Sequence, residues 1–220
     1  DPGPPLRDRG PAVITVACVL VRGHVPFTAD YVTRLRSMVA RHLSLPHRFV
    51  CLSDRDIPGV ETIPITAPKG CFAWWAKLRL FDPAVGLTGR VLYLDLDTLV
   101  VADLAPIVEY PAAFALVPDG APGFKPKTHR VVHRFNSSVM VWDGGYPQLW
   151  QDWTPKQARR LWGDQDWIGE RLQDAAAMPA EWFPRLSVAR PPWLEAKVVL
   201  CKKPKNAEAA LRWPWFAEAW

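Results

Sequence analysis

Apolar and polar positions along the chain alternate between two rhythms. "AVITVACVLV" (12–21) is an almost unbroken β-branched run, short enough for a strand and apolar enough for one covered on both faces. "FTADYVTRLRSMVARHLSL" then places Tyr31, Leu35, Met38, Val39 and Leu43 at helical spacing behind Thr28, a residue type suited to an N-cap. "HRFVCLSD" (47–54) returns to strand character, and "ETIPIT" reads as a third strand or an edge segment. Strand, helix and strand joined by short connections predict a parallel sheet flanked by helices. Further on, the pattern predicts a helix over 72–82 and strands over 91–96, 112–117, 131–143 and 198–201. The Gly/Pro content of 118–130 marks a loop, which gathers Lys125, Lys127 and Arg130. Short helices and Pro/Trp-rich loops fill the C-terminal third. The organisation expected is a mobile leader over 1–11 and a single α/β domain over 12–220.

Composition narrows this picture. The 220 residues, 49% hydrophobic and 22% charged, can bury a sizeable core. No apolar run reaches the roughly 20 residues that cross a bilayer, and "DPGPPLRDRGP" lacks the apolar segment of a signal peptide. Four scattered cysteines without a C-x-x-C pair fit free thiols in a reducing compartment, so the expected location is cytoplasmic, with peripheral contact at the inner face of a membrane left open. The net charge of +5 favours anionic ligands without choosing among them. Ten of the twelve tryptophans lie at or after Trp142, so core packing and ring stacking both stand as roles for them.

The candidate chemistry sits in "VLYLDLDTLVVADL" (91–104), where Asp95 and Asp97 close an apolar strand on one shared face. Two like charges at the edge of a core need a cation. At the C-terminal end of a parallel strand, where open α/β sheets bind ligands, the pair suits Mg²⁺ or Mn²⁺ shared with phosphate oxygens. Such an ion makes a diphosphate a better leaving group.

This segment resembles the D-x-D strand of GT-A glycosyltransferases, in particular glycosyltransferase family 8 and the glycogenin-like enzymes. "WAKLRLF" before it, "FNSSVMVWD" after it and "GDQDWI" beyond follow in the family's order, so the resemblance spans about residues 12–172. It implies a GT-A (Rossmann-like) fold with a mostly parallel central sheet and an elaborated C-terminal part. The implied activity is retaining transfer of a hexose from a nucleotide-diphosphate sugar, a UDP-hexose first, to a glycan, lipid or protein acceptor, with a bacterial glycan among the candidates. Asp95 and Asp97 would hold the metal, and Asp95 would also contact the ribose. Lys77 would lie near the donor phosphates or sugar, with Arg79 a weaker candidate. Asp119 and Asn136 would bind sugar hydroxyls, Ala17 and Val19 would meet the base or ribose through their backbone, and Asp164 and Gln165 would stand beside the anomeric carbon. Asp164 also suits an N-cap ahead of "WIGERL".

The chain departs from the family in two places. Ser137-Ser138 stands where the family has a Gly or Ala neighbourhood, and the bulkier Ser138 would narrow the sugar pocket that the resemblance implies. The family's late metal-binding histidine is absent, since no histidine follows His133. Aligning "KVVLCKKPKN" on Lys205 puts Val199 at the histidine position and Lys202 at a glycine, and a related spacing offers Cys201 as the ligand instead. Lys202, Lys203 and Lys205 are alternative sources of positive charge for the diphosphate. Two other functions remain open at this point. One is a non-catalytic sugar- or nucleotide-binding module on the same fold. The other is nucleic-acid binding, which the dispersed basic residues and the lack of a recognised motif disfavour.

Overall fold

The computed structural model describes residues 14–23, 26–69, 71–119, 135–191 and 194–220. The leader 1–11, the cationic loop residues Lys125, Lys127 and Arg130, and Trp193 lie outside the described residues.

In chain order the elements are β1 (Ile14–Leu20), α1 (Ala29–His42), β2 (His47–Ser53), β3 (Glu61–Pro64), a 3-10 helix (Ala73–Phe81) and β4 (Arg90–Leu94). Then come β5 (Thr98–Val100), α2 (Ala105–Val108), β6 (Phe114–Pro118), β7 (Phe135–Asp143), α3 (Gln148–Gln151), α4 (Pro155–Arg160) and α5 (Asp164–Arg171). β8 (Ala176–Ala177), β9 (Val198–Leu200), α6 (Pro204–Ala210) and α7 (Pro214–Ala219) complete the chain. The main sheet has the order β3-β2-β1-β4-β7-β6-β8. β1 is parallel to both β2 and β4, β2 to β3, and β6 to β8, while β7 runs against both its neighbours. The sheet is therefore mostly parallel, as the strand–helix–strand pattern requires.

The order places a switch point between β1 and β4. The chain leaves β1 toward β2 and β3, then returns to the other side of β1 to make β4. A crevice opens outside the carboxyl ends of such a pair, because the two connections depart in opposite directions.

Both faces of the sheet are covered, which explains the continuous apolar runs. Val16, Cys18 and Leu20 of β1 join one hydrophobic cluster with α1 and the C-terminal segment, whereas Ala17 faces a second cluster with Trp75, Leu78, Leu149 and Trp167. On α1, Tyr31, Val32, Leu35, Met38 and Val39 are buried, and Asp30 in the first turn and Arg41 and His42 in the last complement the helix dipole. Thr28 occupies the N-cap without a side-chain capping bond.

Three elements differ from their sequence patterns. The strand expected to run to 96 ends at Leu94, so Asp95 and Asp97 stand in a turn closed by the Thr98 amide donating to the Asp95 carbonyl (3.2 Å). The helix over 72–82 is 3-10, so residues three apart align in rows. Trp75, Leu78 and Phe81 form a buried row, while Trp74 and Lys77 fall on another. Third, Thr98–Val100 forms its own strand and pairs antiparallel with β9 in a separate two-stranded sheet. All four cysteines are free thiols, with Cys18, Cys51 and Cys201 buried. Among the described residues no helix is long and apolar enough to cross a membrane.

Candidate functional site

At the switch point a cleft of about 820 Å³ opens between the end of β1, the D-x-D turn and the start of α6. Val19, Val21, Phe27, Lys77, Asp95, Asp97, Lys203 and Lys205 are among the residues that line it. A smaller cleft of about 200 Å³ shares Lys77, Asp95 and Asp97 and adds Asn136, Ser137, Ser138, Asp164, Gln165 and Arg185. Trp74 and Lys202 line both.

Lys77 is the hub. Its ammonium lies 3.0 Å from Asp95 Oδ1 and 3.3 Å from Asp164 Oδ2. It also donates to the Ser137 carbonyl (3.1 Å) and hydroxyl (3.0 Å), and sits 5.0 Å from the centre of the Tyr93 ring. Burial alone would lower the lysine's pKa, but the charges of Asp164 and Asp95 outweigh it, so Lys77 is held protonated above its usual value. A cation that meets the D-x-D is thus supplied by the chain itself. Sequence spacing gave no sign that one lysine would join carboxylates 69 positions apart (Asp95 and Asp164).

Local backbone structure builds this cluster. β7 pairs regularly with β4 up to Val139–Leu94, but against β6 its register jumps between Met140 and Asn136. The irregularity frees Ser137 and Ser138 from the β6 ladder. The Ser138 carbonyl accepts from the Asp95 amide (2.8 Å), and Ser137 presents both its carbonyl and its hydroxyl to Lys77. The Ser137 hydroxyl donates to Asp164 Oδ2 at 2.6 Å. Asn136 Oδ1 accepts from the Ser138 amide (2.9 Å), a bond within the irregular stretch of β7. On the opposite wall, a Cβ at Gly23 would come within 2.4 Å of Ala73 Cβ, so the chain leaving β1 passes the 3-10 helix only as glycine.

The carboxylates differ in their surroundings. Asp95 accepts from the Tyr93 hydroxyl at 2.6 Å and is ion-paired. Burial first, then the Asp95 and Asp164 charges, push the Tyr93 phenol well above its usual range, so it stays a donor. Asp164 is buried and its carboxyl is raised by that burial, with Lys77 and Ser137 pulling the other way. Asp97 is pushed up to about 7, by burial first and by the charge of Asp95 second, with only a backbone amide and Lys77 opposing. It is a buried carboxylate short of positive charge.

Other expected residues fall differently. Val19 borders the cleft, but Ala17 is fully buried inside the ladders, opposite Val50 and Tyr93, and lines neither cleft. Arg79 turns away to Asp82 (2.8 Å) and the Trp150 ring (4.6 Å) because the 3-10 rows separate it from Lys77. Asp119 stands in a turn just after β6; it lines neither cleft but lies close enough to Arg185 to favour its charged form. Asp164 is the first residue of α5, not its cap, which is Gly163; the neighbouring Asp166 takes the Trp162 amide (2.9 Å) and leaves Asp164 to face Lys77. Val199 is buried in β9, and Cys201 has its thiol raised by burial and by Asp97, so it remains protonated and is a poor ligand for a hard cation. Trp213, Trp215 and Trp220 pack against the α1-side cluster and do not line the clefts. The aromatic surface that does flank them is Trp162, 70% exposed, with Trp74 stacked on Phe72 at 4.3 Å. Tyr93, Trp74, Ser137 as a hydrogen-bonding group and Arg185 were missed; only Tyr93, two residues before Asp95 in the strand pattern, carried a signal.

No protein-family model and no curated protein sequence matches the chain. Solved structures do. Galactosyltransferase LgtC, in complex with donor and acceptor sugar analogs, is similar over 93% of this chain and 94% of its own, with 15% identity and a TM-score of 0.61. The bifunctional glycosyltransferase WbbM matches 97% of this chain and 52% of its own, with 14% identity and a TM-score of 0.55. The apo glycosyltransferase GlyE of Streptococcus pneumoniae TIGR4 matches 78% and 46%, with 15% identity and a TM-score of 0.52. The chain therefore has the GT-A type of α/β fold that these proteins share.

Proposed function

We propose that the protein is a glycosyltransferase that retains the anomeric configuration and moves a hexose from a nucleotide-diphosphate sugar, most simply a UDP-hexose, to a carbohydrate-type acceptor. The observation that carries this reading is the convergence of Asp95, Asp97, Lys77, Asp164 and Gln165 on one pair of connected clefts at the switch point of the sheet. Fold likeness adds a prior for glycosyl transfer and no more.

The two clefts divide the work. The larger, with Val19 and Val21 at the end of β1 and Lys203 and Lys205 at the start of α6, suits a nucleoside diphosphate. The smaller, lined by Asn136, Asp164 and Gln165, suits the sugar. Transfer breaks the bond from the anomeric carbon to the diphosphate and forms one to an acceptor hydroxyl oxygen, whose proton must leave. Positive charge develops at the ring in such a transition state. Asp164 and Gln165 supply negative charge and an amide dipole beside it, and Lys77 and Ser137 hold Asp164 in place. Trp162 and the Trp74–Phe72 pair offer apolar ring faces to an acceptor sugar.

Asp95 and Asp97 are the residues that would hold Mn²⁺ or Mg²⁺. The fit rests on Asp97, whose burial without adequate compensation a hard divalent cation would correct. Among the described residues no group of three His, Cys, Asp or Glu side chains is placed to hold a metal ion by itself, so donor phosphate oxygens and water would complete the shell. When bound, the ion would neutralise the leaving diphosphate.

Calorimetric titration of UDP and UDP-glucose, with Mn²⁺ and with EDTA, tests the reading. Mn²⁺ should tighten UDP binding in the wild type and not in Asp97→Ala. Release of UDP from UDP-hexoses across a panel of acceptor sugars should then fall at least a hundredfold in Asp164→Ala, in line with the loss of a group that stabilises transition-state charge. Absence of UDP binding in every condition would overturn the nucleotide assignment. Tight UDP-hexose binding without turnover on any acceptor or water would favour a non-catalytic binding module.

A further inference from the structure

Lys202 is, among the described residues, the one non-glycine with a positive φ, at 72°. Its Cβ is crowded by its own backbone there, a conformation that glycine takes at no steric cost. The chain has no slack to avoid it. β9 ends at Leu200, the Cys201 amide donates to the Asp97 carbonyl (3.1 Å), and the Asn206 side-chain amide donates to the Cys201 carbonyl (2.8 Å). Lys203 is then already extended as the cap of α6. The left-handed residue is the pivot that carries the chain from β9 into α6 across the mouth of the site. A glycine would serve the turn alone. Strain of this kind persists where the side chain has a use.

The placement of that side chain indicates the use. Lys202 borders both clefts, alongside Asp95 and Asp97 in each, while Lys203 and Lys205 border only the larger. It is the cation of the C-terminal segment at the junction where a diphosphate would join the nucleotide cleft to the sugar cleft.

We propose that Lys202 is a fixed phosphate-binding residue of the donor site, which grips the diphosphate whether or not a divalent cation is present. This rests on reading the larger cleft as a nucleoside-diphosphate site. The left-handed turn positions the ammonium, and Lys203 and Lys205 extend the positive rim.

The test is titration of UDP and of inorganic pyrophosphate in EDTA into the wild type, Lys202→Gly, Lys202→Gln and Lys202→Arg, with thermal melts of each. Lys202→Gly relieves the backbone while deleting the charge, so its Tm should equal or exceed that of the wild type as both anions bind about tenfold more weakly, the usual loss for one charge-assisted contact. Lys202→Gln should lose the same affinity with the strained backbone retained, and Lys202→Arg should restore most of it. Wild-type affinity for pyrophosphate in both uncharged variants overturns the proposal. So does binding of UDP that appears only with Mn²⁺ and is indifferent to residue 202, an outcome that leaves the nucleotide reading standing. Pyrophosphate binding that depends on Lys202 without any affinity for UDP keeps the phosphate role and removes the nucleotide.

Discussion

A single lysine reconciles charges that the sequence left unbalanced. Asp95 and Asp164 would be costly neighbours in a buried site, and Lys77 lies between them with its donors also satisfied by Ser137. Asp97 has no such arrangement, and its pKa of about 7 stands above the 3.8 of an ordinary aspartate. Between these values the folded protein binds a proton that the unfolded chain releases. Stability without metal should therefore be greatest at the acidic end of that window and decline as pH rises through 7. Melting in EDTA at about pH 5.5 and about pH 8 should show the lower Tm at the higher pH, and Asp97→Asn should flatten the difference. An equal slope in the variant would mean that Asp97 is not the group that takes up the proton. Mn²⁺ should raise Tm chiefly at the alkaline end, where the carboxylate is free to bind it.

Elements decide which of these residues meet. The β7 irregularity turns Ser137 toward Lys77 and Asp164, and the hydroxyl there links helix, strand and 3-10 segment in one network. Ser137→Ala should cost about 1–3 kcal/mol in urea unfolding, the range for a buried hydrogen bond broken on one side. Turnover should fall more than UDP affinity does, because Asp164 belongs to the sugar side of the site; an equal loss in both would assign Ser137 to general packing. The alternating and helical rhythms sufficed to place β1, α1, β2, β4 and β7, since those segments bury whole faces against the sheet. The strand pattern also singled out Asp95 and Asp97, whereas Lys77, Asp164 and Gln165 entered only through the resemblance of their segments to the glycosyltransferase family. Periodicity could not show a 3-10 row separating Lys77 from Arg79, a register jump at Ser137, or the pairing of Thr98–Val100 with Val198–Leu200. Each depends on contacts between distant segments, and a one-residue change of register reverses a face.

At the scale of the whole molecule, the C-terminal tryptophans hold the site in position from behind. The segment that carries Lys202, Lys203 and Lys205 is tied to α1 by Tyr31 donating to Glu208 (2.9 Å), by Arg41 donating to the Ala219 carbonyl (2.7 Å) and by the Tyr31–Trp220 ring contact at 5.7 Å. Phe216 is the fully buried anchor of this layer, and it belongs to the same hydrophobic cluster as Leu35, Leu94 and Val198. Because that cluster is continuous, the tail should unfold with the sheet and not ahead of it. Phe216→Ala should lower stability by about 3 kcal/mol or more, as truncation of a buried aromatic does, with tryptophan fluorescence and far-UV circular dichroism still reporting one transition. Below that transition UDP affinity should stay within about twofold of the wild type, since the folded molecules keep β9 paired with β5. A fluorescence change that precedes the loss of secondary structure, accompanied by weaker UDP binding, would instead make the tail a separately melting unit whose docking controls access of the lysines to the diphosphate.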